Sequence, residues 1–256
     1  AAGEADQLVD LHAGQAHDVG SGVADVVGLP GVQVDELVRF AGGGTGVASD
    51  LREGSLGVVL LDAPHDVAAG DRVTRTRRVL DVPAGRGLLG RVVSPLGRPL
   101  DRGGPLRAET RLPVERPAPP ILDRAPVATP LQTGLKVVDA LFPIGRGQRE
   151  LILGDRQTGK SSVALATVLA QRRSGVRCVW CSIGQRASGA ARQVAALRRS
   201  GALAYTAVVV AASHDAPGLR WIAPFAAMSI GEALMEDGSD VLVVFDDLTQ
   251  HARAYR

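Results

Sequence analysis

The residues Gly154-Asp155-Arg156-Gln157-Thr158-Gly159-Lys160-Ser161 have the types and the spacing to hold a phosphate chain. They fit the pattern GxxxxGK(S/T), in which glycines let successive backbone N–H groups turn toward phosphate oxygens. Lys160 is placed to reach the β and γ phosphates of a nucleotide, and Ser161 to put its hydroxyl on a bridging Mg²⁺. The flanks suit the pattern. Glu150-Leu151-Ile152-Leu153 reads as a buried strand running into the loop, and residues 162–170 read as a helix leaving it. The loop is therefore expected at a helix N-terminus, where anions are favoured. The apolar run Val241-Leu242-Val243-Val244-Phe245 delivers Asp246 and Asp247, and Asp246 is the candidate acid for ordering the water around the cation. Ser182-Ile183-Gly184-Gln185-Arg186 ends another apolar run and belongs to the same edge.

Two other groupings are assigned no chemistry. Ser213-His214-Asp215 has the residue types of a hydrolase triad, but sequence neighbours do not converge on one point, and a polar turn is expected. Cys178 and Cys181 form a CxxC inside the apolar run 176–183 with no second pair elsewhere, which points to buried, reduced thiols.

The elements that must position these residues alternate. After the loop come a strand at 176–183, a helix at 188–200, a strand at 204–211, a helix from about 218 to 237 and a strand at 241–245, the pattern of a parallel sheet wrapped by helices. Before it, residues 135–142 space Leu135, Val138, Leu141 and Phe142 at helical intervals and stop at Pro143. Prolines at 113, 117, 119, 120, 126 and 130 make 112–130 a stiff extended connector, and Ile121, Leu122 and Val127 suggest that it lies against the second domain. Between about 14 and 80, short apolar runs at 22–28, 32–40, 57–61 and 71–76 suggest a small β-barrel. The stretch before Val19 is poor in apolar residues, so a first strand there is expected to be frayed or absent. Arg72, Arg75, Arg77 and Arg78 read as a solvated strand face.

With 45% hydrophobic residues over 256 positions, the chain can bury a sizeable core, and no disorder is expected. A formal charge of +2 asks for neither nucleic acid nor an acidic membrane. Phe40 is the only aromatic residue before Phe142, so the barrel lacks the stacking platforms of a single-strand binder. No apolar run is long enough to span a bilayer, and the first thirty residues lack a secretion signal, so a cytoplasmic setting is expected.

The runs PLQTGLKVVDALFPIGRGQRELILGDRQTGKSS, SIGQRAS and VLVVFDDLTQHARAYR, with GLPGVQVDELVRF and LLGRVVSPLGRPLD in the first half, closely resemble the α subunit of the F-type ATP synthase. SPLGRPLD, DRAPV and DDLTQHARAYR resemble its alternative N-type branch, for which sodium is a candidate coupling ion beside the proton. The resemblance implies a β-barrel at 14–80 after a poorly ordered start at 1–13. An incomplete RecA-like, P-loop parallel sheet would follow at 81–256, without the family's remaining strands and helical C-terminal domain.

It implies that Gly154 to Ser161 bind Mg-ATP or ADP, that Gln157 is an α-type feature, and that Asp246 holds the metal through water. Catalytic β subunits carry a glutamate where this chain has Gln185, and an amide cannot accept a proton from water. The resemblance thus implies a non-catalytic, regulatory subunit of an ion-transporting two-sector ATPase, with little turnover of its own. Departures are Ser161, where threonine is usual, and His17 and Asp18, where the first strand is usually apolar. Implied partners are β subunits in an alternating ring and the γ and δ subunits, without nucleic acid. Membrane attachment would come only through the complex, at the cytoplasmic face of the bacterial inner membrane. Two rivals remain at this point: a Rho-type RNA-translocating hexameric ATPase, and a structural fragment with no working nucleotide site.

Overall fold

The structure, a computed structural model, describes residues 13–20, 22–62, 66–155 and 157–256. The expected poorly ordered start lies, up to residue 12, outside the described residues, as does Arg156 of the candidate loop. The chain divides into two compact units, one built on the residues up to Leu80 and one on those from Asp81.

The first unit is a closed six-stranded barrel. Its strands are β1 (Ala13–Val19), β2 (Val23–Val27), β3 (Glu36–Phe40), β4 (Thr45–Arg52), β5 (Ser55–Asp62) and β6 (Arg72–Val79), in the spatial order β1-β2-β5-β4-β3-β6. Alternation does the sorting. In β3, Val38 and Phe40 point into the core while Arg39 is exposed, and Ala16, Val26, Val58, Leu60 and Val73 meet them inside.

Two expectations are corrected here, and a strand outside the expected apolar runs is added. The first strand is present: β1 pairs with β2 and with β6 and so closes the barrel. Small Gly14 and Ala16 fill its inward positions, and a register shift between Ala16 and Asp18 takes up the polar His17 outside. The run 45–52, in which only Val47 and Leu51 are large and apolar, is also a strand. The arginines are not all a solvated face. Arg75 Nη2 donates to Glu36 Oε2 at 2.7 Å, its Nε to Oε1 at 3.0 Å, and Glu36 is only 3% exposed. Burial works to raise the Glu36 pKa, but the Arg75 fork and the backbone N–H groups of Gln33 and Arg77 outweigh it, and the carboxyl ends below its ordinary value.

The second unit holds a parallel sheet in the order β14-β12-β13-β8. Its strands are β8 (Val92–Val93), β12 (Arg177–Gln185), β13 (Thr206–Ala212) and β14 (Val241–Asp246). Helices α2 (Lys160–Ala170), α3 (Ala187–Arg199), α4 (Pro217–Glu236) and α5 (Leu248–Tyr255) accompany it. β13 is buried throughout and β12 nearly so, the run-on apolar pattern of central parallel strands. Near β8, Arg91 forks onto Asp101 at 2.8–3.2 Å, and Asp101 also accepts from the Val92 and Gly103 N–H groups. The guanidinium and these amides hold the Asp101 carboxyl at about 2, down from 3.8.

Smaller elements complete the unit: β7 (Asp81–Ala84) pairs with β9 (Thr110–Pro113), β10 (Pro130–Leu131) with β11 (Ile144–Gly145), and α1 covers Lys136–Leu141. Beyond β9 the proline-rich connector is irregular, as its missing donors require, but Ile121 and Leu122 are 83% and 97% exposed and do not lie on a core. Another correction concerns residues 150–153. They form no strand, and Leu151 and Leu153 are 66% and 80% exposed. A strand needs a partner ladder, and among the described residues none runs beside them, because β14 is paired on its β12 side alone.

Candidate functional site

The loop owes its shape to three residues. Gly159 sits at φ +98°, open to a residue without Cβ, and caps α2 from outside. A Cβ on Gly154 would lie 2.9 Å from Thr158 Oγ1, which itself donates to Asp155 O at 2.9 Å. Gln157 holds φ +66°, the left-handed turn that folds the chain back toward the helix. No side chain caps α2, and its first turn carries no acid, so the helix presents uncapped N–H groups and a positive end to the space in front of the loop.

Lys160 Nζ donates to Gly154 O at 2.6 Å and to Asp155 O at 2.5 Å. The ammonium therefore lies across the loop mouth on neutral acceptors that an anionic oxygen outcompetes.

Asp246 is the meeting point of the second half of the site. It ends β14, is 8% exposed, and accepts three neutral donors: Ser161 Oγ on Oδ1 at 2.9 Å, Gln185 Nε2 on Oδ2 at 2.6 Å, and Gln193 Nε2 on Oδ2 at 2.7 Å. The fold brings these groups together by simple means. β12 and β14 run in parallel with Ser182 opposite Asp246, so the β12 terminus delivers Gln185 to the same edge. Gly184, at φ +64°, makes the bulge that aims it, and a Cβ there would stand 2.7 Å from Gln250 Cβ. The two aspartates part company. Asp247 caps α5, accepting from the Gln250 N–H at 2.9 Å, and only Asp246 faces the loop.

Ser161, Gln185 and Asp246 thus converge as their positions in the sequence imply, while Ser213, His214 and Asp215 fall in and beside a turn. Cys178 and Cys181 are free and buried in β12; burial pushes the Cys178 thiol up to about 12 and the Cys181 thiol up as well, so both stay protonated. Gln193 has no signal in the sequence. It stands eight residues after Gln185 among the alanines of α3, where a polar side chain ordinarily means a solvated face.

This donor set fits Mg²⁺ with a nucleotide. Among the described residues no cluster of three His, Cys, Asp or Glu side chains could cage an ion. A cation here would be held by the Ser161 hydroxyl and, through water, by the Asp246 carboxylate, with its other ligands supplied by phosphates and water, which is how Mg²⁺ is commonly held.

Residues 134–256 match the ATP synthase alpha/beta family, nucleotide-binding domain, a stretch that contains every residue of this site. Over 252 residues the chain is 59% identical to "ATP synthase subunit alpha 2" of Albidiferax ferrireducens, covering 98% of this chain and 47% of that protein. It is 60% identical over 250 residues to "ATP synthase subunit alpha 2" of Polaromonas naphthalenivorans, at 98% and 48% coverage. Residues 134–256 thus carry this family's nucleotide-binding domain, and the chain resembles ATP synthase α subunits along nearly its whole length. Against "ATP synthase subunit alpha 1" of Psychromonas ingrahamii it is 57% identical over 250 residues. The chain spans about half the length of the curated relatives it matches. No described helix is long and apolar enough to cross a membrane. The Rho-type alternative loses its remaining support in the barrel, where Phe40 is 1% exposed and offers no face for a base.

Proposed function

We propose that this chain is the nucleotide-binding, non-catalytic part of an α-type subunit of a rotary, proton- or sodium-translocating ATP synthase. Residues 14–80 would serve as the barrel domain and 81–256 as the nucleotide-binding domain. The observation that carries the reading is the contact of Gln185 Nε2 with Asp246 Oδ2 at 2.6 Å. An amide donor occupies the place from which a carboxylate would have to take a proton from water, so the site can bind but has no general base there. Lys160 leaves its two loop carbonyls for the β and γ phosphate oxygens, and the uncapped turn of α2 holds the α and β phosphates. Ser161 and Asp246 take the Mg²⁺, Asp246 through water. The bound metal would offset phosphate charge.

The implied partners are β subunits in an alternating ring, with γ and δ, and the setting is peripheral, at the cytoplasmic face of a bacterial inner membrane. Within that complex the site would regulate rather than turn over.

One observation favours a second reading, a structural piece without a working site: residues 151–153 are exposed and unpaired, so the loop is anchored on its helix side alone. Titration with a fluorescent ATP analogue in Mg²⁺, followed by a phosphate-release assay on the same sample, decides. Saturable binding without turnover supports the proposal; turnover that Lys160→Ala abolishes, or no binding at all, overturns it.

A further inference from the structure

Gln193 reaches past its own helix in two directions. Its Nε2 donates to Asp246 Oδ2 at 2.7 Å, and its Oε1 accepts from the Trp180 indole Nε1–H at 3.3 Å. Trp180 lies in β12 and is fully buried. Chemistry at both ends fixes which way round the amide sits. An indole N–H only donates, so it must face the amide oxygen; an ionised carboxylate only accepts, so it must face the amide NH₂. A flipped amide would set oxygen against oxygen at Asp246 and N–H against N–H at Trp180.

The consequence falls on Asp246. Gln185 and Gln193 both bond Oδ2, so that oxygen is held from two sides, while Oδ1 meets Ser161 and keeps acceptor capacity on the loop side. We infer that Gln193, locked by Trp180, is a positioning residue that turns Asp246 Oδ1 toward the cation side of the site, and that Trp180 is a built-in reporter of that carboxylate. The reporter half concerns this chain's own hydrogen bonds alone; the positioning half rests on the proposed Mg-nucleotide site. Carboxylates that serve a metal are commonly held by such outer partners, and losing one weakens the metal's contribution.

The test uses the whole 256-residue chain with Trp221→Phe, which leaves Trp180 as the single indole. Without ligand, Asp246→Asn is expected to shift Trp180 emission, because the Gln193 amide loses its charged partner. In a Gln193→Met background the same change is expected to shift nothing. Emission unmoved by Asp246→Asn, or moved equally in both backgrounds, overturns the inference whatever the chain binds.

With ligand, affinity for a fluorescent ATP analogue is measured in Mg²⁺ and in EDTA. Gln193→Met is expected to cut the Mg²⁺-dependent gain by about tenfold and to leave the EDTA value unchanged. Equal losses in both buffers, or none, mean that Gln193 merely packs and overturn the positioning role. Gln193→Leu repeats the comparison should Met pack poorly. A chain that binds no analogue but passes the ligand-free test loses the proposed function and keeps the coupling of Gln193 to Asp246.

Discussion

At the scale of residues, the site depends on one carboxylate and on what surrounds it. Asp246 accepts from Ser161, Gln185 and Gln193, none of which carries charge. Gln185→Glu would replace the 2.6 Å donor by a second carboxylate, and we expect it neither to create an ATPase nor to leave stability intact. A positioned general base contributes about 10² to 10⁴ in rate, whereas an arginine supplied across a subunit boundary contributes about 10³ to 10⁵. An isolated chain has no neighbouring subunit to supply such an arginine, so the larger contribution stays absent. Two facing carboxylates should also destabilise the fold by roughly 1–3 kcal/mol. Phosphate release under saturating Mg-ATP, with Lys160→Ala as control, checks the first expectation and denaturant unfolding the second. Turnover near one per second (k ≈ 1 s⁻¹, a typical enzyme rate) that vanishes with Lys160→Ala contradicts the ranking.

At the scale of elements, two positions show what holds the framework. Gly184→Ala forces a Cβ into a left-handed residue and against Gln250; we expect a loss of about 1–2 kcal/mol from the backbone alone, read as a lower denaturant midpoint at unchanged slope. Asp101 gives the pH dependence. Its carboxyl is held at about 2 against 3.8, so its contribution of about 2 kcal/mol is complete above pH 4 and drains away as pH falls toward 2. Asp101→Asn should flatten that part of the stability profile, and an unchanged profile would contradict the assignment. In the barrel, Arg75→Met would leave Glu36 charged and buried, at a cost of about 3–5 kcal/mol.

The same elements show what could be read from sequence. β12, β13, β14 and α3 to α4 follow from apolar runs and helical spacing because their burial is dictated by side-chain type. The loop and Asp246 follow from a pattern whose residue types the chemistry requires. β1 escaped because glycine and alanine fill a barrel's narrow interior without looking apolar enough. Residues 150–153 misled for the opposite reason: Leu151, Ile152 and Leu153 have strand character but no ladder to join. Gln193 escaped because its role comes from a register between α3 and β14 that one sequence does not display.

At the scale of the whole molecule, apolar surface outside the cores sets behaviour. Leu122, Val137, Leu141, Phe142, Leu151 and Leu153 are all more than half exposed, and among the described residues β14 has a strand neighbour on one side only. An open strand edge beside uncovered leucines seeks partners. We expect the isolated chain to self-associate and to bind a hydrophobic dye, as seen by size exclusion with light scattering and by dye emission. A sharp monomer with a cooperative melt and no dye binding would contradict this.

The central claim is that residues 154–161 hold the phosphates of a Mg-nucleotide through Lys160, whose ammonium now rests 2.5–2.6 Å from two loop carbonyls. Calorimetric titration of Mg-ATP into the chain and into Lys160→Ala tests it most directly. Removing charge-assisted hydrogen bonds worth roughly 1.5–3 kcal/mol should weaken binding about ten- to a hundredfold. Equal affinity of the two forms would contradict the account.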